Sequence, residues 1–261
     1  MSIMTAGLPS PESLLSGLVP LIHEAGALVM RVYATDFHVE IKDDESPVTV
    51  ADQCAEKVIV AGLHRLAPDI PVVGEEAASA GDIPDVSNRF WLVDPIDGTK
   101  EFISRNGEFT VNIALVDHGV PVLGLVLAPA LGLLYGGAAG RGAWVEDRQG
   151  RRAIQVRAVP DEGLTVVGSR HHGDESAVAT LLAGRRIAAQ RTVGSSLKLC
   201  LVAAGEADVY PRFGRTMEWD TAAGDAILRA AGGAVRTLDG APLGYGKPGF
   251  ENPDFAAWGP A

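Results

Sequence analysis

The sequence predicts a layered α/β fold. Segments with apolar residues at helical spacing alternate along the whole chain with short apolar runs of strand length. Gly- and Pro-containing turns punctuate them, and no repeat, low-complexity tract or long linker intervenes. The 261 residues suit one large domain, or two α/β lobes fused into one, with a lobe boundary expected between residues 145 and 164.

From Glu12 to Tyr33 the series Leu14, Leu15, Leu18, Leu21, Ile22, Ala25, Leu28, Val29 recurs at helical spacing, and Pro20 is expected to kink that helix or delay its start. A short strand over His38–Ile41 precedes a second helix over Asp52–Leu66, which stops near Pro68. Val72–Val73 and Phe90–Val93 read as buried strands. A β-rich run follows over Thr110–Val116, Val122–Leu127 and Leu133–Gly136, with turns at Gly119 and Pro129. Beyond it, strands are expected at Thr165–Gly168, Ala207–Tyr210, Ala234–Arg236 and Phe255–Trp258. Helices are expected at Glu175–Leu182, Leu197–Ala204 and Trp219–Ala231, the last two ended by Gly205 and Gly232.

Composition narrows the function. Hydrophobic residues make up 47% and charged residues 21%, as in a soluble globular protein. The formal net charge of -11 argues against nucleic acid as a partner, although a metal ion and a few local cations can reverse the field inside a pocket. No unbroken apolar run reaches the roughly 18 residues of a bilayer span, and Met1–Ser10 lacks the pattern of a signal peptide. A cytoplasmic location is expected, with peripheral association at the inner membrane as the alternative. Cys54 and Cys200 read as buried small residues rather than a disulfide or metal pair.

The most informative stretch is Trp91-Leu92-Val93-Asp94-Pro95-Ile96-Asp97-Gly98-Thr99. An apolar strand ends in two carboxylates three residues apart, Pro95 stiffens the link, and Gly98 permits a sharp turn into a helix starting at Thr99. Asp94, Asp97 and the Ile96 carbonyl can meet on one hard cation, with the Gly98 and Thr99 amides beside it for a phosphate. The plain alternative is a strand end followed by an Asp-Gly turn. Two further acidic sites weigh against that alternative. Glu75 and Glu76 directly follow the apolar run Val72–Val73, and Asp220 opens a small-residue helix, where it could also serve only as N-cap. An oxygen-rich set of this kind favours magnesium over zinc, and the six histidines show no metal-ligand spacing.

Gly74-Glu75-Glu76, Asp94-Pro95-Ile96-Asp97-Gly98-Thr99 and Trp219-Asp220-Thr221-Ala222-Ala223-Gly224 together resemble the motifs of the inositol monophosphatase superfamily, lithium-inhibited and magnesium-dependent phosphatases. Residues 42–52, Lys100-Glu101-Phe102, Gly194-Ser195-Ser196-Leu197-Lys198, Tyr210-Pro211-Arg212-Phe213-Gly214 and Tyr245–Phe250 resemble its CysQ-type branch, the 3'(2'),5'-bisphosphate nucleotidases. Arg215 stands where that branch would have proline, and His171 where it often has serine.

The resemblance implies a sugar-phosphatase fold of alternating αβαβα layers. It also implies two or three Mg2+ ions, held by Glu75, Asp94, the Ile96 carbonyl, Asp97 and Asp220, with Glu76 beside them. Asp52 and Thr99 would form a hydrogen-bonded pair that activates the attacking water, without a phosphoenzyme. The implied substrate is adenosine 3',5'-bisphosphate, a by-product cleared during sulfate assimilation; its 3'-phosphoadenylylsulfate relative or inositol phosphates are the alternatives. A silent nucleotide- or metal-binding protein is the reading from another class. The second, non-reacting phosphate needs cations, for which Arg170, His171, Lys198 and Arg212 are candidates beside Gly- or Ser-containing turns, with Ser195 and Ser196 as neighbours. Phe213 is a candidate to stack on a base, or ordinary core. Lys42–Glu45 is expected to act as a flap and Pro47-Val48-Thr49 to position Asp52, in a monomer or homodimer.

Overall fold

A computed structural model describes residues 11–41, 47–169 and 175–260. The sequence-predicted candidates Arg170 and His171, and the Lys42–Glu45 flap, lie outside the described residues.

In chain order the first elements are α1 (Pro11–Tyr33), β1 (Val39–Ile41), β2 (Pro47–Thr49), α2 (Val50–Leu66), β3 (Val72–Gly74) and α3 (Glu75–Ser79). Next come β4 (Arg89–Asp97), α4 (Thr99–Ile103), β5 (Thr110–Asp117), β6 (Val120–Ala128), β7 (Leu133–Ala138), β8 (Gly142–Asp147) and β9 (Gly150–Ile154). The remainder runs β10 (Leu164–Gly168), α5 (Glu175–Leu181), β11 (Ile187–Thr192), α6 (Leu197–Ala203), β12 (Val209–Arg212), β13 (Thr216–Met217) and α7 (Glu218–Ala230). It closes with β14 (Ala234–Thr237), a 3-10 turn at Pro248–Phe250, β15 (Glu251–Asn252) and β16 (Phe255–Trp258).

Strands β3 to β9 form a seven-stranded sheet in sequence order, parallel at β3/β4 and antiparallel thereafter. A five-stranded sheet has the order β11-β10-β12-β16-β14. The central strands of the larger sheet read as unbroken apolar runs because both faces are covered. Trp91, Val93, Val111, Ile113, Leu123 and Leu125 pack under α1 and α2, while Phe90, Leu92, Ala114, Val116 and Val126 join the core built by α6, α7 and the second sheet. Helix α5 packs Val178 and Leu181, with Leu182 just beyond its end, onto Leu164, Val166 and Val209 of the second sheet. The order of layers is helix, sheet, helix, sheet, helix, as the resemblance implied.

Several differences from the sequence reading have a physical cause. Helix α1 begins at Pro11, so Pro20 does not delay it. By length and composition α1 could cross a membrane, yet Leu14, Leu18, Leu21, Ile22, Ala25 and Val29 are buried in the core under α2 and the sheet. Strands β9 and β11 escaped detection because they are sheet edges: every residue of β11 is exposed, and four of five in β9. Residues 155–163 carry the chain from the larger sheet to the smaller. Both cysteines are free, and Cys54, expected to be buried, is only half-buried on α2.

Candidate active site

Parallel pairing of β3 with β4 sets Gly74 opposite Val93, so Glu75 and Asp94, the next residue on each, come side by side. The ladder between β4 and β5 is regular to Asp94↔Asn112 and resumes at Asp97↔Thr110, so Pro95 and Ile96 form a bulge that brings both carboxylates to one end of the strand. Gly98 then takes a left-handed conformation (φ 87°, ψ 47°) and α4 starts at Thr99. Asp220 arrives from the other side in the first turn of α7, its Oδ2 accepting from the Met217 amide at 2.9 Å.

These groups feel one another. Burial, then the charges of Glu75, Asp97 and Asp220, and a hydrogen bond shared with Glu75 push the Asp94 carboxyl well above the usual carboxylate range. Burial and the charges of Asp97 and Glu75 do the same to Asp220, against the opposing Met217 amide and Arg212 guanidinium. Asp94 Oδ1 is buried and has no hydrogen-bond partner. Among the described residues no three His, Cys, Asp or Glu side chains stand closed around a metal-sized space. The carboxylates are adjacent without forming a finished cage. Their mutual repulsion and the orphaned Asp94 oxygen nevertheless fit a hard divalent cation, which would relieve both.

Asp52 lies in the first turn of α2, 1% exposed, close enough to Glu75 to feel its charge. Burial raises it to about 6, partly offset by hydrogen bonds from Thr49. Those bonds are a correction to the sequence reading. Asp52 Oδ2 accepts from the Thr49 amide at 2.8 Å and from its hydroxyl at 2.7 Å, while the Thr99 hydroxyl donates to the Ile96 carbonyl at 3.3 Å. Asp52 and Thr99 do not pair. Asp52 is the third helical residue of α2, and a capping box with Thr49 engages it locally.

The loop before α6 closes the site. Ser196 donates its amide to Asp97 Oδ2 at 2.5 Å, and its Oγ lies 2.6 Å from both that oxygen and the Asp220 carbonyl. Asn112 Nδ2 donates to the same Oγ at 2.9 Å. Ser195, at φ 50°, faces Gly98: a Cβ on Gly98 would stand 3.3 Å from that of Ser195. Lys198, expected to meet a phosphate, is 5% exposed and donates to Ser195 O at 2.6 Å and Val193 O at 3.3 Å. Burial lowers its amine to about 8. It braces the loop from behind. Arg212, 8% exposed, donates through Nη2 to Arg215 O, and its buried Nε has no partner. Phe213 is half-buried.

Three participants escaped the sequence reading. Glu56 accepts from the amides of Glu76 and Ala77, its one legible signal being its place four residues after Asp52 on the same helix face. Glu218, fully buried, accepts from the Gly246 and Lys247 amides and from Lys247 Nζ at 2.6 Å, fastening the Tyr245–Phe250 segment to the start of α7. Asn112 carries no local signal at all. A cavity of about 400 Å³ lies elsewhere, between α1 and the β6–β7 and β8–β9 turns, and none of the carboxylates above lines it.

The family model of the inositol monophosphatase family matches residues 10–257. The chain belongs to the inositol monophosphatase family. It is therefore a phosphatase, in a family whose members generally depend on metal. The 3'(2'),5'-bisphosphate nucleotidase CysQ of Shigella flexneri is 48% identical over 247 residues, 93% of this chain and 98% of the relative. That of Salmonella typhimurium is also 48% identical with the same coverage. Among solved structures, CysQ from Bacteroides thetaiotaomicron superposes with a TM-score of 0.81 at 37% identity, over 95% of this chain and 98% of that one. An inositol monophosphatase from Anabaena superposes at 0.77 with 27% identity, over 97% and 92%.

Proposed function

We propose that this phosphatase is a 3'(2'),5'-bisphosphate nucleotidase that hydrolyses the 3'-phosphate of adenosine 3',5'-bisphosphate. Water adds to phosphorus, the bond to the 3' oxygen breaks, and AMP and inorganic phosphate leave. The CysQ relatives, 48% identical along nearly the whole chain, support the substrate. The observation that carries the chemistry is the mutually repelling set of buried Asp94 with half-buried Glu75, Asp97 and Asp220, and the orphaned Asp94 oxygen.

Glu75, Asp94, the Ile96 carbonyl, Asp97 and Asp220 would hold two or three Mg2+ ions, for which Li+ would compete. When bound, the cation supplies a Lewis acid for the phosphoryl oxygens and lowers the pKa of a water. Asp52, raised to about 6, is poised to accept a proton near neutral pH. Thr99 and Gly98 at the bulge are the proposed contacts for the reacting phosphate. Arg212 is the buried cation with an unused donor, and it is assigned to the second phosphate. Ser196 and Lys198 position the loop that faces them. The whole is proposed as one domain of two lobes, since a single core takes side chains from both sheets.

Phosphate release from adenosine 3',5'-bisphosphate, with and without Mg2+, beside inositol 1-phosphate and an Asp94→Asn control, tests this. Mg-dependent release from the nucleotide, lost in the variant, is expected. Preference for inositol 1-phosphate would overturn the substrate, and no release from either would overturn the reaction.

A further inference from the structure

Gly74 is the N-cap of α3 and offers no side chain to cap it, so the first amides of α3 need an acceptor from elsewhere. Glu56 supplies it across twenty residues of sequence. Its Oε2 accepts from the Glu76 amide at 2.8 Å and its Oε1 from the Ala77 amide at 2.9 Å. The carboxylate is 6% exposed, which is tolerable only because donors meet it. The fit is tight: a Cβ on Gly74 would stand 2.5 Å from Glu56 Cδ and from Oε2. Position 74 therefore has to be glycine for this contact to exist.

Glu75 sits in the Gly74–Ala77 segment against which Glu56 packs, flanked by the Gly74 contact and the Glu76 and Ala77 amides. One turn earlier on the same face of α2, Asp52 lies within reach of the Glu75 charge. We propose that Glu56 is the positioning residue of the cation site: its carboxylate fixes where Glu75 stands, and through α2 it holds Glu75 in register with Asp52. The inference rests on the assignment of Glu75 as a cation ligand.

The test is a thermal-shift titration of the metal-free protein with MgCl2, alongside steady-state kinetics, for Glu56→Ala, Glu56→Gln, Gly74→Ala and Asp94→Asn. Glu56→Ala removes the acceptor, and Gly74→Ala displaces it by contact. Both are expected to raise the Mg2+ concentration at half-saturation about tenfold or more, as loss of an outer partner of a metal ligand does, with substrate KM at saturating Mg2+ nearly unchanged. Glu56→Gln keeps one acceptor oxygen and is expected to fall between wild type and Glu56→Ala. If Glu56→Ala does not fold, Gly74→Ala alone reads the same quantity. A lowered melting temperature with an unmoved Mg2+ midpoint would make Glu56 merely structural and overturn the proposal. An unmoved midpoint in Asp94→Asn as well would overturn the cation site itself, and this inference with it.

Discussion

Ser196 is tied to Asp97 twice over, through its amide at 2.5 Å and its hydroxyl at 2.6 Å, both on Oδ2. The same hydroxyl reaches the Asp220 carbonyl, so one small residue buckles β4 to α7 at the point where their carboxylates meet.

Ser196→Ala leaves the amide bond but removes the hydroxyl from Asp97, Asp220 and Asn112. A loss of about 2 kcal/mol in urea unfolding is expected, the scale of hydrogen bonds to a charged group, with a fall in kcat larger than any change in KM. Unchanged kcat would show that Asp97 does not need this buckle.

Acidic groups raised by burial make the metal-free protein less stable as pH rises. Asp52 has an ordinary value of 3.8 and a folded value of about 6, so between those limits the folded state binds more protons than the unfolded. Its contribution falls by about 3 kcal/mol as pH climbs through about 4 to 6. Asp94 and Asp220, shifted in the same direction, extend the decline upward. Melting temperatures of metal-free protein should therefore decrease on this account from pH 5 to pH 8. Added Mg2+ should restore more stability at pH 8 than at pH 5, and Asp94→Asn should flatten the profile. A metal-free profile that rises across that range would contradict the cluster.

Arg212 and Lys198, both expected from sequence to meet phosphate, should behave differently. Arg212→Ala is expected to raise KM for adenosine 3',5'-bisphosphate about tenfold or more, one charge-assisted contact, and to affect inositol 1-phosphate far less. Lys198→Met keeps the apolar stem but strips the loop carbonyls of their donor, so its effect should fall on kcat for both substrates and on stability. Equal KM effects from the two substitutions would restore Lys198 as a phosphate contact.

The carboxylates assigned to the cation were legible because each follows a local pattern: a strand ending before Glu75, another ending in Asp94 and Asp97, a helix start near Asp220. Strands β9 and β11 were not, since exposed edge residues such as Arg151, Arg152 and Gln190 carry no alternation to read. Asn112 was invisible for another reason. It sits on an apolar strand, and its meaning depends on Ser196, 84 residues away.

By itself, the sequence determined the chemical inventory and its local geometry, because motif spacing within a strand end or helix turn is set by backbone dihedrals alone. It placed Asp94, Ile96 and Asp97 together at the end of one apolar strand, and Asp52 at the start of α2. Only the tertiary structure decided which groups share the buried space. It turned Lys198 inward onto the Val193–Ser195 carbonyls, satisfied Asp52 with Thr49 in place of Thr99, and set Glu56 under α3. Packing decides which charges are buried, and a buried charge takes whatever partners stand beside it, since leaving it unpaired is costly. For Asp52 and Lys198 those partners are local, three to five residues away, whereas Glu56 finds its donors twenty residues on.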